Sequence, residues 1–363
     1  MLRHCILFIL PFLFSSVIKA EKLQAGYNPK EYIELLSYQL KQVNHNDALY
    51  PDSVQMHHYR NVYTSPEVGL QNQWSLWGSN DSIAVIKIRG TIGTSESWLA
   101  NLYAGMIPAK GFLILAPGDT FNYHFASNDL AAVHAGWTLS TAYLIRDMLP
   151  RIDSCYKSGI KDFIITGHSQ GGAIAYLITS LLYYYRSNHQ LPADITFKTY
   201  CSAAPKPGNL YFAYEYENIT RNGWAFNVVN SADWVPETPI SIQTIHDFNK
   251  TNPLIKARKG IRKQKFPANL VTMYVFNRLS KTPLRAMRQY KKYLGKYAGK
   301  LVTRNLKEFE KPEYANCTNY VRTGATIVLF ADEDYYKLFP DNPDKIFIHH
   351  FFEPYLYLAK KRN

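Results

Sequence analysis

Cysteine is scarce: the 363-residue chain has four, Cys5, Cys155, Cys201 and Cys317. Their spacing suits neither a zinc site nor a disulfide framework, and a chain of this length can bury a core without either. Long apolar runs are missing after the first 20 residues, and crossing a bilayer takes about 20 apolar residues in succession. There is no internal repeat and no Gly/Ser-rich or Pro-rich linker, so nothing marks a cut into domains. Acidic residues are also few, 28 against 41 Lys and Arg, which gives a net charge of +13.

The amino terminus has its own character. Arg3 and His4 precede an apolar core from Cys5 to Phe14, and small residues lead up to Ala20. This reads as a secretory signal peptide, residues 1–20, with cleavage near Ala20 and a secreted or periplasmic product. As a membrane anchor the run is too short, and Pro11 interrupts it. Without Cys5 three cysteines remain, so at most one disulfide can form, and Cys155 and Cys201 are expected to be buried as small apolar residues. Residues 21–363 are expected to form a single domain.

The chemistry centres on Ile164-Ile165-Thr166-Gly167-His168-Ser169-Gln170-Gly171-Gly172-Ala173. Phe163 to Thr166 reads as a buried strand, and Ala173 to Tyr185 as a helix of about three turns. Between them lies G-x-S-x-G. Small residues on both sides of Ser169 allow a sharp turn from strand to helix, which exposes the hydroxyl at the positive end of the helix. Ser169 is therefore the candidate nucleophile for attack on an acyl carbon.

Elsewhere, Pro29 to Val43 has helical spacing and is followed by a polar loop through Ser65. Gln73 to Trp77 and Ile83 to Ile88 read as strands, Thr138 to Leu149 as a helix, Ile195 to Cys201 and Trp224 to Ala232 as strands. This alternation implies a mostly parallel sheet with helices on both faces.

Several motifs, in order, resemble the class 3 or fungal-type lipase family of the α/β-hydrolase superfamily. IAVIKIRGT, ending in Arg89-Gly90-Thr91, is similar to the family's strand with R-G-T or R-G-S. By that resemblance Thr91 is the first oxyanion residue, and the backbone N–H of Gln170 the second; two donors aimed at developing negative charge are what acyl transfer needs. Trp98 to Ile107, with Phe112 to Leu115, looks like a lid or acyl-binding wall. Val133-His134-Ala135-Gly136-Trp137 resembles V-H-x-G-F, which makes His134 structural rather than the base. Ser202 to Asn209 resembles the family's F-G-x-P-x-x-G-N turn.

The same resemblance supplies the acid and base. Asn230-Ser231-Ala232-Asp233-Trp234-Val235-Pro236 is similar to N-x-x-D-x-V-P, so Asp233 is the candidate acid; Glu237 and Asp247 are weaker candidates because neither matches. In α/β-hydrolases the histidine comes late in the chain. The family closes with a histidine followed five residues later by tyrosine, which selects His350 with Tyr355 over the alternative, His349. In an extended segment only one of the two adjacent rings can face the site. The implied chemistry is two-step acyl transfer with no cofactor and no metal, and activity should fall in acid as the base is protonated.

Lys250 to Lys311 departs most from the family. It holds 18 Lys or Arg against two Glu, a balance of +16, whereas everything from residue 21 onward totals +11. Leu270, Met273, Tyr274, Leu279, Leu284, Met287, Tyr290, Leu294 and Tyr297 recur at helical steps within it. This basic helical insertion, at about 250–311, reads as a solvated face of a helical cap, as a surface for an anionic membrane or lipid interface, or as a nucleic-acid surface. Export and the hydrolase core argue against nucleic acid. The expected function is a secreted serine ester hydrolase, foremost a lipase on acylglycerol esters. Phospholipase A1, a small-ester carboxylesterase and a non-catalytic lipid-binding protein are the alternatives. Asn218-Ile219-Thr220 is a glycosylation acceptor if the pathway of export is eukaryotic, and the oligomeric state is open.

Overall fold

The computed structural model describes residues 23–43, 59–79 and 83–362. The expected signal peptide lies outside them. In chain order the described elements are α1 (Pro29–Val43), β1 (Arg60–Thr64), β2 (Trp74–Gly78), β3 (Ile83–Ile88), α2 (Ser95–Leu102), β4 (Met106–Pro108), β5 (Lys110–Ala116) and β6 (Asp119–His124). Next come β7 (Ala132–His134), α3 (Ala135–Lys157), β8 (Asp162–His168), α4 (Gln170–Ser187), β9 (Thr196–Ser202), β10 (Gly208–Asn209), α5 (Leu210–Ile219) and β11 (Ala225–Asn230). The basic region folds as α6 (Ala257–Arg262), α7 (Ala268–Tyr290), a π-helical turn over Lys291–Tyr297, and α8 (Ala298–Asn305). After it follow β12 (Tyr320–Val321), β13 (Ala325–Leu329), α9 (Glu333–Leu338) and α10 (Phe352–Arg362).

Among the described residues the main sheet has the order β1-β2-β3-β8-β9-β11-β13. The β1-β2-β3 edge is antiparallel, and from β3 onward every pairing is parallel. Side chains alternate between the faces of a strand, and the two resulting cores are distinct. Ala84, Ile86 and Ile88 of β3, with Phe163 and Ile165 of β8, join the residues of α3, α4 and α5. Ile83, Val85, Ile164, Tyr200, Phe226 and Val228 join α1 and α10 on the other face. A strand buried on both sides must be apolar at every position, which is why Phe163-Ile164-Ile165 has no polar alternation. This is the α/β-hydrolase fold, and it carries the end of β8 and the turn after β11 to one edge of the sheet.

Four expectations need correction. A strand, β1, occupies Arg60–Thr64, where the polar loop was expected to run through Ser65. Phe112 to Leu115 is no part of a lid: it forms the β5–β6 hairpin, with Leu113 and Leu115 in the core. Gly118 takes a φ of 77° at the turn, so Pro117-Gly118 was the signal that closes it. Cys155 is only half-buried, while Cys201 is buried; Cys155, Cys201 and Cys317 are all free thiols. Finally, the apolar positions of the insertion do not share one face. Met287 and Tyr290 are buried, whereas Leu270, Tyr274, Leu279 and Tyr297 are exposed.

Candidate active site

Ser169 sits between β8 and α4 with φ 59° and ψ −128°. For a residue with a Cβ this conformation costs on the order of 1–3 kcal/mol, so the surroundings must impose it. Two close approaches do so. A Cβ on Gly167 would lie 2.3 Å from the carbonyl carbon of Gly171, and one on Gly171 would lie 2.3 Å from the Ile88 carbonyl oxygen. Glycine at both positions lets the turn collapse onto β3. The Ser169 N–H donates to the Ser202 carbonyl at 2.9 Å, which ties the turn to β9. Gln170 is the first residue of α4, so its backbone N–H belongs to the positive end of that helix.

Asp233 follows β11 and is buried. Its Oδ1 accepts from the Val235 N–H at 2.9 Å. Its Oδ2 accepts from the Tyr355 hydroxyl at 2.8 Å and from His350 Nδ1 at 2.7 Å. A carboxylate partner fixes the proton on Nδ1 and leaves Nε2 as the accepting nitrogen. Burial pushes the Tyr355 phenol well above its usual range, which keeps it a donor. The neighbouring His349 points elsewhere: Nδ1 accepts from the Tyr335 hydroxyl at 2.8 Å and Nε2 donates to Asp341 at 3.0 Å. The two rings diverge although the segment is not extended. His350 N–H donates to the Phe347 carbonyl, and Ile348 N–H to that of Lys345, so the chain turns here before entering α10. Asp247 is engaged by the backbone and hydroxyl of Thr244. Glu237 lies in the short helical turn Val235–Glu237.

His168 had no role in the sequence reading. It is buried beneath the serine, where its Nε2 donates to the His350 carbonyl at 2.7 Å. Its Nδ1 then must accept from Ser202 Oγ, at 3.0 Å, and Ser202 in turn accepts from Tyr32 at 2.7 Å. Burial, followed by the proximity of His350, holds its imidazole well below the usual range, although the bond to the His350 carbonyl opposes the shift. A neutral His168 therefore anchors the backbone of the histidine that Asp233 orients.

Thr91 and Gln170 meet directly. The Thr91 hydroxyl donates to Gln170 Oε1 at 2.9 Å and accepts from Asn101 Nδ2 at 2.8 Å. Gln170 Nε2 donates to Asn72 at 3.2 Å. With its hydroxyl proton committed, Thr91 has its backbone N–H to offer an anion. Asn101 is held in turn: Trp137 Nε1 donates to its Oδ1 at 3.1 Å, and His134 Nε2 donates to its carbonyl at 3.1 Å. His134 caps α3 by accepting from the Trp137 N–H, and its ring stacks on Trp137 at 3.6 Å. Burial pushes the His134 imidazole down to about 3.

Ser169, His350, His168 and Thr91 line one cleft of about 1040 Å³, together with Trp98, Leu102, Val235, Ile240, Leu294 and Phe347. Its rim is aromatic. Phe347 lies 6.0 Å from Trp98, 5.4 Å from Trp234 and 5.9 Å from His350, ring centre to ring centre. Trp98, Leu102, Trp234, Ile240 and Phe351 are exposed around it. Among the described residues no cluster of three or more His, Cys, Asp or Glu could hold a metal ion.

Residues 85–242, which run from the R-G-T strand past Asp233, match the profile of the lipase (class 3) family. These residues make up less than half of the chain, and over them it is similar to the class 3 lipase family. No curated protein matches the chain. Among solved structures it is similar to the native Rhizomucor miehei lipase propeptide complex, at 19% identity and a TM-score of 0.41 over 60% of this chain and 65% of that one. It is also similar to a lipase from Rhizopus microsporus var. chinensis (18% identity, TM-score 0.40, 62% and 76%) and to the Lip2 lipase of Yarrowia lipolytica (17%, 0.42, 61% and 79%).

The residues that sequence reading passed over are His168, Asn101 and Asn72. His168 and Asn101 stood inside quoted motifs, but their partners lie 182 and 36 residues away. No local pattern could reveal those bonds.

Proposed function

We propose that this lipase-like ester hydrolase works through Ser169, His350 and Asp233, by way of an acyl-enzyme. His350 Nε2 takes the Ser169 hydroxyl proton as Oγ attacks the ester carbonyl carbon. The carbonyl electron pair moves to oxygen, where the backbone N–H groups of Thr91 and Gln170 stabilise it. Collapse breaks the bond to the alkoxy oxygen, which leaves with the proton from His350. Water then repeats the sequence on the acyl group and restores Ser169. Throughout, Asp233 stabilises the imidazolium, and Tyr355 and Val235 hold the carboxylate in place.

What carries this reading is the 2.7 Å bond from His350 Nδ1 to a buried Asp233, in a cleft that also holds the strained Ser169 turn. An apolar cleft with an exposed aromatic rim supports acyl chains of lipid esters as the substrate class, foremost acylglycerols. Secretion is part of the proposal and rests on Met1 to Ala20; a mature protein that begins near Glu21 by mass is the expected finding. The functional test is hydrolysis of short-chain and long-chain esters beside a Ser169→Ala control. Loss of turnover in the control, with long chains preferred by the parent protein, is expected. A folded parent protein with no activity above the control would overturn the proposal.

A further inference from the structure

We propose that α6 and α7 form a docking surface for an acidic phospholipid interface. The proposal goes beyond ester hydrolysis and rests on residues outside the catalytic cleft. Helix α7 has 23 residues, about 35 Å at 1.5 Å per residue. One side fixes it to the protein through Ser280, Met287 and Tyr290, which are buried, and through Met273, Phe276 and Leu284, which are half-buried. The opposite side is unusual. Leu270, Val271, Tyr274 and Leu279 are each 60% exposed or more, and Val275 is 47% exposed. Spacing of four places Leu270 with Tyr274, and Val271 with Val275 and Leu279, on one face.

Along that same face, at steps of three and four, follow Arg278, Lys281, Arg285 and Arg288, all exposed. In front of the helix, Ile255 and Phe266 are exposed among Lys256, Arg258, Lys259, Arg262, Lys263 and Lys265. Among the described residues no ion pair neutralises any of these cations.

Charge and shape together choose the occupant. A helix with apolar side chains beside a dense row of cations suits the boundary between headgroups and acyl chains, where the apolar groups leave water and the cations meet phosphate. A polyanion such as nucleic acid would satisfy the charge but leave Leu270, Val271, Tyr274 and Leu279 in water. A second copy would set one +16 segment against another. Among the described residues no helix is long and apolar enough to cross a membrane, so α7 would lie in the interface. Its carboxyl end reaches the chemistry, because Tyr290 and Leu294 line the cleft. Docking would therefore bring the aromatic rim within a helix length of the lipid.

The test is co-sedimentation with vesicles of phosphatidylcholine alone, or with phosphatidylserine added, at low and high salt. The parent protein should bind the mixed vesicles at least tenfold more tightly than neutral ones and lose most of that preference in high salt. Arg278→Glu/Lys281→Glu/Arg285→Glu should weaken binding about 100-fold. Leu270→Gln/Tyr274→Gln/Leu279→Gln should weaken it about tenfold or more, with glutamine chosen to keep the helix. Hydrolysis of a soluble short-chain ester should be unchanged in both variants, which shows that they fold. Ser169→Ala should bind vesicles like the parent, so docking stands or falls apart from catalysis. Equal binding to neutral and acidic vesicles, or parent-like binding by both variants, would overturn the proposal. So would sedimentation that shows the apolar face pairing two copies, or tighter binding to RNA than to the vesicles.

Discussion

His134 should make this protein lose stability in mild acid, by an amount that can be worked out. Its imidazole is buried, donates through Nε2 to the Asn101 carbonyl and accepts at Nδ1 from the Trp137 N–H, so the folded state needs it neutral. Burial pushes its folded value down to about 3, against about 6.5 in the unfolded chain. The folded value is the lower one, so at falling pH the unfolded chain binds the proton first. The stability from this residue is complete above about pH 6.5 and disappears as pH falls towards 3. Between pH 7.5 and 4.5 the loss is about 2.7 kcal/mol, at 1.36 kcal/mol per unit below 6.5. His168 is shifted in the same direction and adds to the slope. The assay is urea unfolding at the two pH values for the parent and His134→Gln, whose amide can donate and accept but does not titrate. Glutamine should be the less stable at pH 7.5, and its deficit should shrink by about 2.7 kcal/mol at pH 4.5. Parallel losses in the two proteins would refute the reasoning.

Asp233→Asn should lower kcat on a soluble ester by about 10⁴-fold with little change in KM, because the amide no longer imposes the tautomer that leaves His350 Nε2 accepting. A loss under tenfold would count against Asp233 as the orienting group. Gly171→Ala should prevent folding or lower the urea midpoint sharply, since its Cβ would sit 2.3 Å from the Ile88 carbonyl oxygen; a parent-like midpoint would show that β3 and α4 can move apart.

The elbow was legible because its signals are local. An apolar strand, two glycines and a helix lie within about 25 consecutive residues, and each element constrains the next. The parallel sheet was legible for a related reason, since strands buried on both faces cannot alternate in polarity. Choosing His350 over His349 rested on the position of Tyr355, whose hydroxyl shares the Asp233 oxygen with His350. The extended segment on which the second argument was conditioned does not occur, because the chain turns at Phe347 to His350. What could not be read are bonds between distant parts of the chain, such as His168 to His350 and Trp137 to Asn101. The basic region shows the limit of periodicity. Its spacing gave helices, but leucine and tyrosine occur on both sides of α7. Which side is buried depends on neighbours such as Ala104, Met106 and Tyr320, which pack with Tyr290.

The most direct test of the central claim is covalent labelling of the folded protein with an alkyl phosphonate ester, followed by peptide mass spectrometry. Attack by Ser169 Oγ on phosphorus, with loss of the leaving group, should place one adduct on Ser169. Ser169→Ala should take none, and Asp233→Asn should label far more slowly. A folded protein that stays unlabelled, or one labelled only at another residue, would contradict the assignment of Ser169 as the nucleophile.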